Sequence, residues 1–73
     1  MDKSLSFVHT GQIVTIDNLL DSSLKPKLME MGLVVGKKIK VLFKAPFGDP
    51  IAIDLGGYVL SLRLDEAKLI NVS

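Results

Sequence analysis

The apolar positions of this chain change period several times, and each change marks an element. Val14 and Ile16 alternate with Thr15 and Asp17, as a half-buried strand of β-branched residues does. Leu24, Leu28 and Met31 recur at spacings of four and three, which places them on one face of a helix over residues 24–31. The period then returns to two. Over residues 38–45, Ile39, Val41 and Phe43 point one way, while Lys38, Lys40 and Lys44 point the other with Leu42 among them. Ile51, Ile53 and Leu55 alternate with Ala52 and Asp54, and Tyr58, Leu60 and Leu62 with Val59, Ser61 and Arg63. Leu69, Ile70 and Val72 make a last short strand. Ahead of all these, residues 1–9 read as a leader or edge strand in which Leu5, Phe7 and His9 alternate with Ser4, Ser6 and Val8.

The residues between these runs are turn chemistry. Thr10-Gly11 turns the chain into the first main strand, and Asn18 with Asp21-Ser22-Ser23 breaks that strand and supplies a helix cap. Ser23 is the expected N-cap, because it puts Pro26 at N3, where a missing N–H has no intrahelical partner to lose. Gly32 stops the helix. With Gly32 at C′ in the left-handed conformation, Leu28 becomes C3 and Leu33 C″, the apolar pair of a Schellman stop. Val34-Val35-Gly36 turns into the next strand. Pro46-Phe47-Gly48-Asp49-Pro50 is a dense turn in which Gly48 takes a positive φ and Asp49 bonds back to the backbone. Gly56-Gly57 reads as a two-residue hairpin loop. Asp65 reads as the cap of a single helical turn over residues 66–68.

Five short strands with hairpin signals, and one short α-helix between strands one and two, predict a mainly β fold: a small, partly open barrel forming one domain over residues 1–73. Leu24, Leu28, Met31 and Leu33 plug that barrel. Gly32, Gly36, Gly48, Asp49 and Pro50 shape its turns and are read as structural.

Composition narrows the chemistry. At 73 residues the core is thin, and with no cysteine no disulfide can reinforce it. The single histidine, His9, has no cysteine or second histidine with which to share a metal, so no metal site and no cofactor are expected. His9 is also the only histidine base, with no nucleophile at a recognisable spacing, and no glycine run matches a phosphate loop, so the chain is expected not to be an enzyme. No apolar run approaches the ~20 residues of a membrane helix, and the N-terminus lacks the pattern of a signal peptide. A soluble, cytoplasmic chain without direct membrane insertion is the expectation.

Net charge is +1, unevenly placed. Residues 25–44 carry six lysines against Glu30, whereas acidic residues predominate on both sides. This basic stretch makes Lys25, Lys27, Lys37, Lys38 and Lys40 candidates for partner binding, although lysines also serve as a merely solvated face or guard an edge strand. Nucleic acid is not the expected partner, since the domain is nearly neutral and holds three Phe, one Tyr and no Trp for stacking. The same scarcity, with the phenylalanines mostly at core-facing positions, argues against polyproline binding. Phe47, at a turn tip, either folds back over the barrel end or stands out as an anchor, and folding back is expected. Arg63 reads as a surface ion pair with Asp65 or Glu66, or as a finger reaching a partner's nucleotide site. Self-association through unpaired strand edges stays open.

Taken in order, Gly11-x-x-Val14-x-Ile16, Leu28-Met29-Glu30-Met31-Gly32-Leu33-Val34-Val35-Gly36, Ala45-Pro46-Phe47-Gly48-Asp49-Pro50-Ile51, Tyr58-x-Leu60-x-Leu62-Arg63 and Glu66-Ala67 resemble the FeoA family, the small SH3-like proteins of bacterial ferrous iron transport. The resemblance runs over about residues 10–72. It departs at Lys25-Pro26-Lys27, where family members often carry consecutive arginines, and at Val35, where they often carry proline. What it implies is an SH3-like barrel acting as a non-enzymatic cytosolic accessory of the membrane transporter FeoB, which has a cytosolic GTP-binding domain. Alternatives are a regulator of that transporter's GTP hydrolysis, through Arg63 or Lys38, and the SH3-like domain of an iron-dependent repressor.

Overall fold

The structure is a computed structural model and describes residues 3–73. Met1 and Asp2, the start of the expected leader, lie outside the described residues. Six strands form one antiparallel sheet in the order β1-β6-β2-β3-β4-β5, with β1 at Lys3–Ser4, β2 at Ile13–Leu19, β3 at Lys38–Lys44, β4 at Ile51–Asp54, β5 at Val59–Leu62 and β6 at Ile70–Val72. The sheet curls into an SH3-like barrel that is not closed, because among the described residues β1 and β5 have no strand neighbour on their outer sides. Two short helices accompany it, α1 at Lys25–Glu30 and α2 at Leu64–Ala67.

The first residues are not a simple alternating leader. β1 pairs Lys3 with Val72 and Ser4 with Asn71, and a 3₁₀ turn over Leu5–Phe7 follows, with the Ser4 hydroxyl accepting from the Ser6 N–H. Three residues per turn bring Leu5 and Val8 to the same side. Both are buried and Phe7 is exposed, whereas alternation puts Leu5 with Phe7 and Val8 on the opposite side.

β2 also outruns its predicted end. A register shift between Ile16 and Asn18 lets one residue slip, so Leu19 enters the core after Val14 and Ile16. The bend lets β2 pair with β3 through Ile13–Thr15 and with β6 through its second half.

α1 begins one residue later than predicted. Leu24, not Ser23, holds the cap position, and the Ser22 hydroxyl accepts from the Leu24 N–H at 3.1 Å. Pro26 thus falls in the first turn, where no N–H is missed. At the other end, the Leu33 N–H reaches the Leu28 carbonyl at 3.1 Å and the Gly32 N–H reaches that of Met29 at 3.0 Å. These are the two bonds of a Schellman stop, and Gly32 has the left-handed φ of 97° that it requires. Leu28 and Leu33 are fully buried, each stabilising by roughly 1.5–3 kcal/mol through burial. Leu24 and Met31 are only half-buried, so the plug is chiefly Leu28 and Leu33.

β3 holds the largest departure from alternation. Val41 pairs with Ile53 but Phe43 pairs with Ala52, so an extra residue sits between them. Beyond this bulge the two faces exchange places. Phe43 is turned outward, and Lys44 lies opposite buried Ile51, its ammonium donating to the carbonyls of Ser6 (2.9 Å) and Val8 (3.3 Å). The predicted wet lysine is thus a strut for the N-terminal turn.

Residues 46–50 turn as predicted at Gly48, with φ 75°, but the Asp49 carboxylate, expected to bond back within the turn, reaches the Leu64 N–H instead. Phe47 does not fold back: it sits at φ 69° and is 99% exposed. The β4–β5 hairpin closes with the Leu55 N–H on the Tyr58 carbonyl at 2.9 Å, leaving Gly56 and Gly57 as its two-residue loop. In α2, Arg63 rather than Asp65 holds the cap position. Its backbone N–H donates to Glu66 Oε1 at 2.9 Å, while the Asp49 carboxylate accepts from the Leu64 N–H at 3.3 Å.

Candidate functional site

The basic stretch does not fold into one patch. Lys25 pairs with Asp21 at 3.2 Å and Lys27 with Glu66 at 3.7 Å, Lys37 is half-buried, and Lys44 is turned to the N-terminal carbonyls. Lys38 and Lys40 remain, exposed on the outer face of β3 with no ion pair among the described residues. The candidates that the sequence groups are therefore divided between two surfaces.

The first surface is the outer face of the sheet. Ile13, Lys40, Asp54 and Val59 lie in register across β2, β3, β4 and β5, and Phe43, Ala52 and Ser61 form a neighbouring row. Ile13 is 66% exposed, Val59 59% and Phe43 55%, with Leu42 also exposed. The Asp54 carboxylate accepts from the N–H groups of Gly56 and Gly57, at 2.8 and 3.3 Å, and forms no ion pair with Lys40. Exposed apolar side chains interleaved with unpaired lysines are what a docking face offers.

Sequence reasoning missed this face because the bulge reverses Phe43. All three phenylalanines are in fact exposed, against the expectation of mostly core-facing positions. The second and third, Phe43 and Phe47, flank Lys44 at one end of the barrel, and Lys44 ties that end to the segment carrying Phe7.

The second surface is a groove of about 620 Å³ between α1 and β5. Leu24, Lys27 and Met31 line it from the helix, Ser61 and Arg63 from the strand side, and Asp49, Pro50, Asp65 and Glu66 close one end. Glu66 is the one buried charged residue among those described, 8% exposed, and it is held by the Arg63 N–H and the Lys27 ammonium. The expected Arg63 ion pair with Asp65 or Glu66 does not form: the backbone of Arg63 meets Glu66 while its guanidinium has no partner among the described residues. The Arg63-x-x-Glu66 spacing of a cap and its N3 glutamate is the signal that could have located this contact.

Among the described residues no three His, Asp or Glu side chains are grouped to hold a metal ion, and no helix is long and apolar enough to cross a membrane.

Comparison with known proteins agrees with this architecture. A model of the FeoA domain matches residues 3–73. A Porphyromonas gingivalis protein, an Fe(2+) transport protein A/Fe(2+) transporter FeoB fusion, is 36% identical over 69 residues; the match takes in 93% of this chain and 8% of the fusion, so the chain spans less than a tenth of that relative. The solution structure of an FeoA-like protein from Clostridium acetobutylicum superposes with a TM-score of 0.91 at 42% identity, covering 99% of this chain and 85% of that one. Stenotrophomonas maltophilia FeoA, a procaryotic SH3 domain protein crystallised with zinc, gives 0.86 at 25% identity over 97% of this chain and 89% of its own. A manganese-dependent transcriptional repressor shares the fold alone, with a TM-score of 0.91 at 19% identity, covering 99% of this chain and 36% of the repressor.

Proposed function

Because this chain belongs to the FeoA family, we propose that it is a non-enzymatic accessory of ferrous iron uptake that docks on the cytosolic GTP-binding region of a FeoB-type transporter. The observation that carries this reading is the Porphyromonas gingivalis fusion, in which an FeoA segment and a FeoB transporter share one polypeptide. Covalent linkage sets a high effective concentration, which serves a pair that must meet.

The outer face of β2–β5 is the surface best suited to the contact. Ile13, Leu42, Phe43 and Val59 supply apolar area to desolvate, and Lys38 and Lys40 supply charge to steer the encounter. Phe47 extends the face as an anchor. Its left-handed φ costs a non-glycine residue about 1–2 kcal/mol, and strain kept at a fully exposed aromatic favours a role in binding over one in packing.

The test is calorimetric titration of the full chain into the intact transporter from the same organism, in nanodiscs, at low and high salt. Saturable binding that weakens as salt rises supports the reading. Absence of binding at either salt overturns it. GTP turnover recorded in the same samples decides whether docking also changes hydrolysis.

A further inference from the structure

The hairpin fixes which way the peptide groups of β5 point. Leu55 and Tyr58 are hydrogen-bonded across the loop at 2.9 Å, and the ladder below them pairs Asp54 with Val59, Ile53 with Leu60, Ala52 with Ser61 and Ile51 with Leu62. Hydrogen-bonded and non-bonded pairs alternate in an antiparallel ladder. Leu60 and Leu62 therefore bond to β4, whereas the N–H and C=O groups of Val59 and Ser61 face away from it. The next group of the same phase, the Arg63 N–H, is already taken by Glu66. Those of Val59 and Ser61 have no backbone or side-chain partner among the described residues, and β5 is the outer strand of the sheet.

This free edge is not open on all sides. α1 stands beside it, fastened by the Tyr58 hydroxyl to the Met31 carbonyl at 2.9 Å and by Lys27 to Glu66 at 3.7 Å, and the groove between holds about 620 Å³. That is space for the side chains of one segment. A second barrel paired edge to edge would bring its own α1 against the same edge.

The groove is lined by two cations, Lys27 and Arg63, and three carboxylates, Asp49, Asp65 and Glu66. The carboxylates of Asp49, Asp65 and Glu66 already accept from the N–H groups of Leu64 (3.3 Å), Glu66 (3.0 Å) and Arg63 (2.9 Å), and Lys27 faces Glu66. Of the two cations, the Arg63 guanidinium is the one with no side-chain partner among the described residues. Leu24 and Met31 offer half-buried apolar surface opposite.

We propose that the β5 edge and the facing side of α1 form a slot that takes one extended peptide segment by strand addition, its backbone pairing with Val59 and Ser61. The segment presents an apolar side chain to Leu24 and Met31 and a carboxylate to Arg63, the fork geometry that arginine prefers. The slot uses the outward backbone groups of Val59 and Ser61, at the margin of the outer face, but neither Lys38 nor Lys40, and does not depend on docking there.

The test is selection of a random displayed heptapeptide library on the full chain, followed by amide exchange and NMR titration with the enriched peptides. Enriched sequences are expected to pair an apolar residue with an acidic one, and the Val59 and Ser61 amides to become protected on binding. N-methylating alternate peptide bonds, which removes the backbone donors, is expected to weaken binding at least tenfold, as is Arg63→Gln; the double variant K38E/K40E is expected to leave peptide affinity unchanged. The proposal is overturned by failure of any peptide to enrich, by a footprint on β3 instead, by undiminished binding of the N-methylated peptide, or by Val59 and Ser61 protection that grows with protein concentration alone.

Discussion

The hydroxyl of Tyr58 donates to the carbonyl of Met31 at 2.9 Å, and the same oxygen lies 2.5 Å from where a Cβ on Gly32 would sit. One contact therefore joins the start of β5 to the end of α1 and requires the residue after Met31 to be glycine twice over, for its φ of 97° and for the space.

Gly32→Ala is expected to destabilise the chain by about 1–2 kcal/mol from its left-handed backbone alone, plus the displacement of Tyr58. In a Tyr58→Phe background the cost is expected to fall, because the clashing oxygen is gone. Urea unfolding of the two single variants and the double variant measures the coupling. Strict additivity would show that the hydroxyl does not constrain the turn.

Glu66 gives a second stability prediction. Glu66→Ala strands the Arg63 N–H, at an expected cost of roughly 1–3 kcal/mol, while Glu66→Gln keeps an acceptor and is expected to cost less. Lys27→Ala removes only a largely exposed partner and is expected to cost ~1 kcal/mol or less. Thermal unfolding of the three variants gives the order.

Lys44 and Lys40 lie on one strand and should behave oppositely. Lys44→Met deletes two charge-assisted bonds to the N-terminal turn and is expected to cost on the order of 1.5–3 kcal/mol for a typical bond of this class. Hydrogen exchange should then rise at Leu5 to Val8. Lys40→Met should leave stability within ~0.5 kcal/mol.

Phe47 sets stability against binding. Phe47→Gly relieves a left-handed φ at a fully exposed side chain and is expected to be neutral or to stabilise by about 1 kcal/mol. If Phe47 is an anchor, the same variant binds the transporter more weakly. Chemical denaturation and titration on the same preparation separate the two effects.

The elements whose period was regular were legible from the chain. The stop at Gly32, the β4–β5 hairpin and the inward faces of β4 and β5 follow from spacing and glycine placement, and their geometry is as that spacing implies. The misreadings of strand faces fall where one residue is inserted or the period is three. The bulge before Phe43 leaves no mark in composition, since a phenylalanine suits an inward position as well as a docking face, and it reversed Phe43 and Lys44 together. Leu5 and Val8 carried their own signal, a spacing of three, which an alternating reading overlooked. The division of the lysines was legible only in part, through the i,i+4 spacing of Asp21 and Lys25. The partner of Lys27, Glu66, lies far along the chain and leaves no local signal.

Binding of charge variants to the intact FeoB-type transporter tests the central claim most directly. Reversing Lys38 and Lys40 to glutamate is expected to weaken binding at least tenfold and to flatten its salt dependence, while Lys25→Glu, at a lysine already paired with Asp21, is expected to change affinity less than twofold. Equal losses at both places, or affinity that ignores Lys38 and Lys40, would contradict a docking face on the outer side of β3.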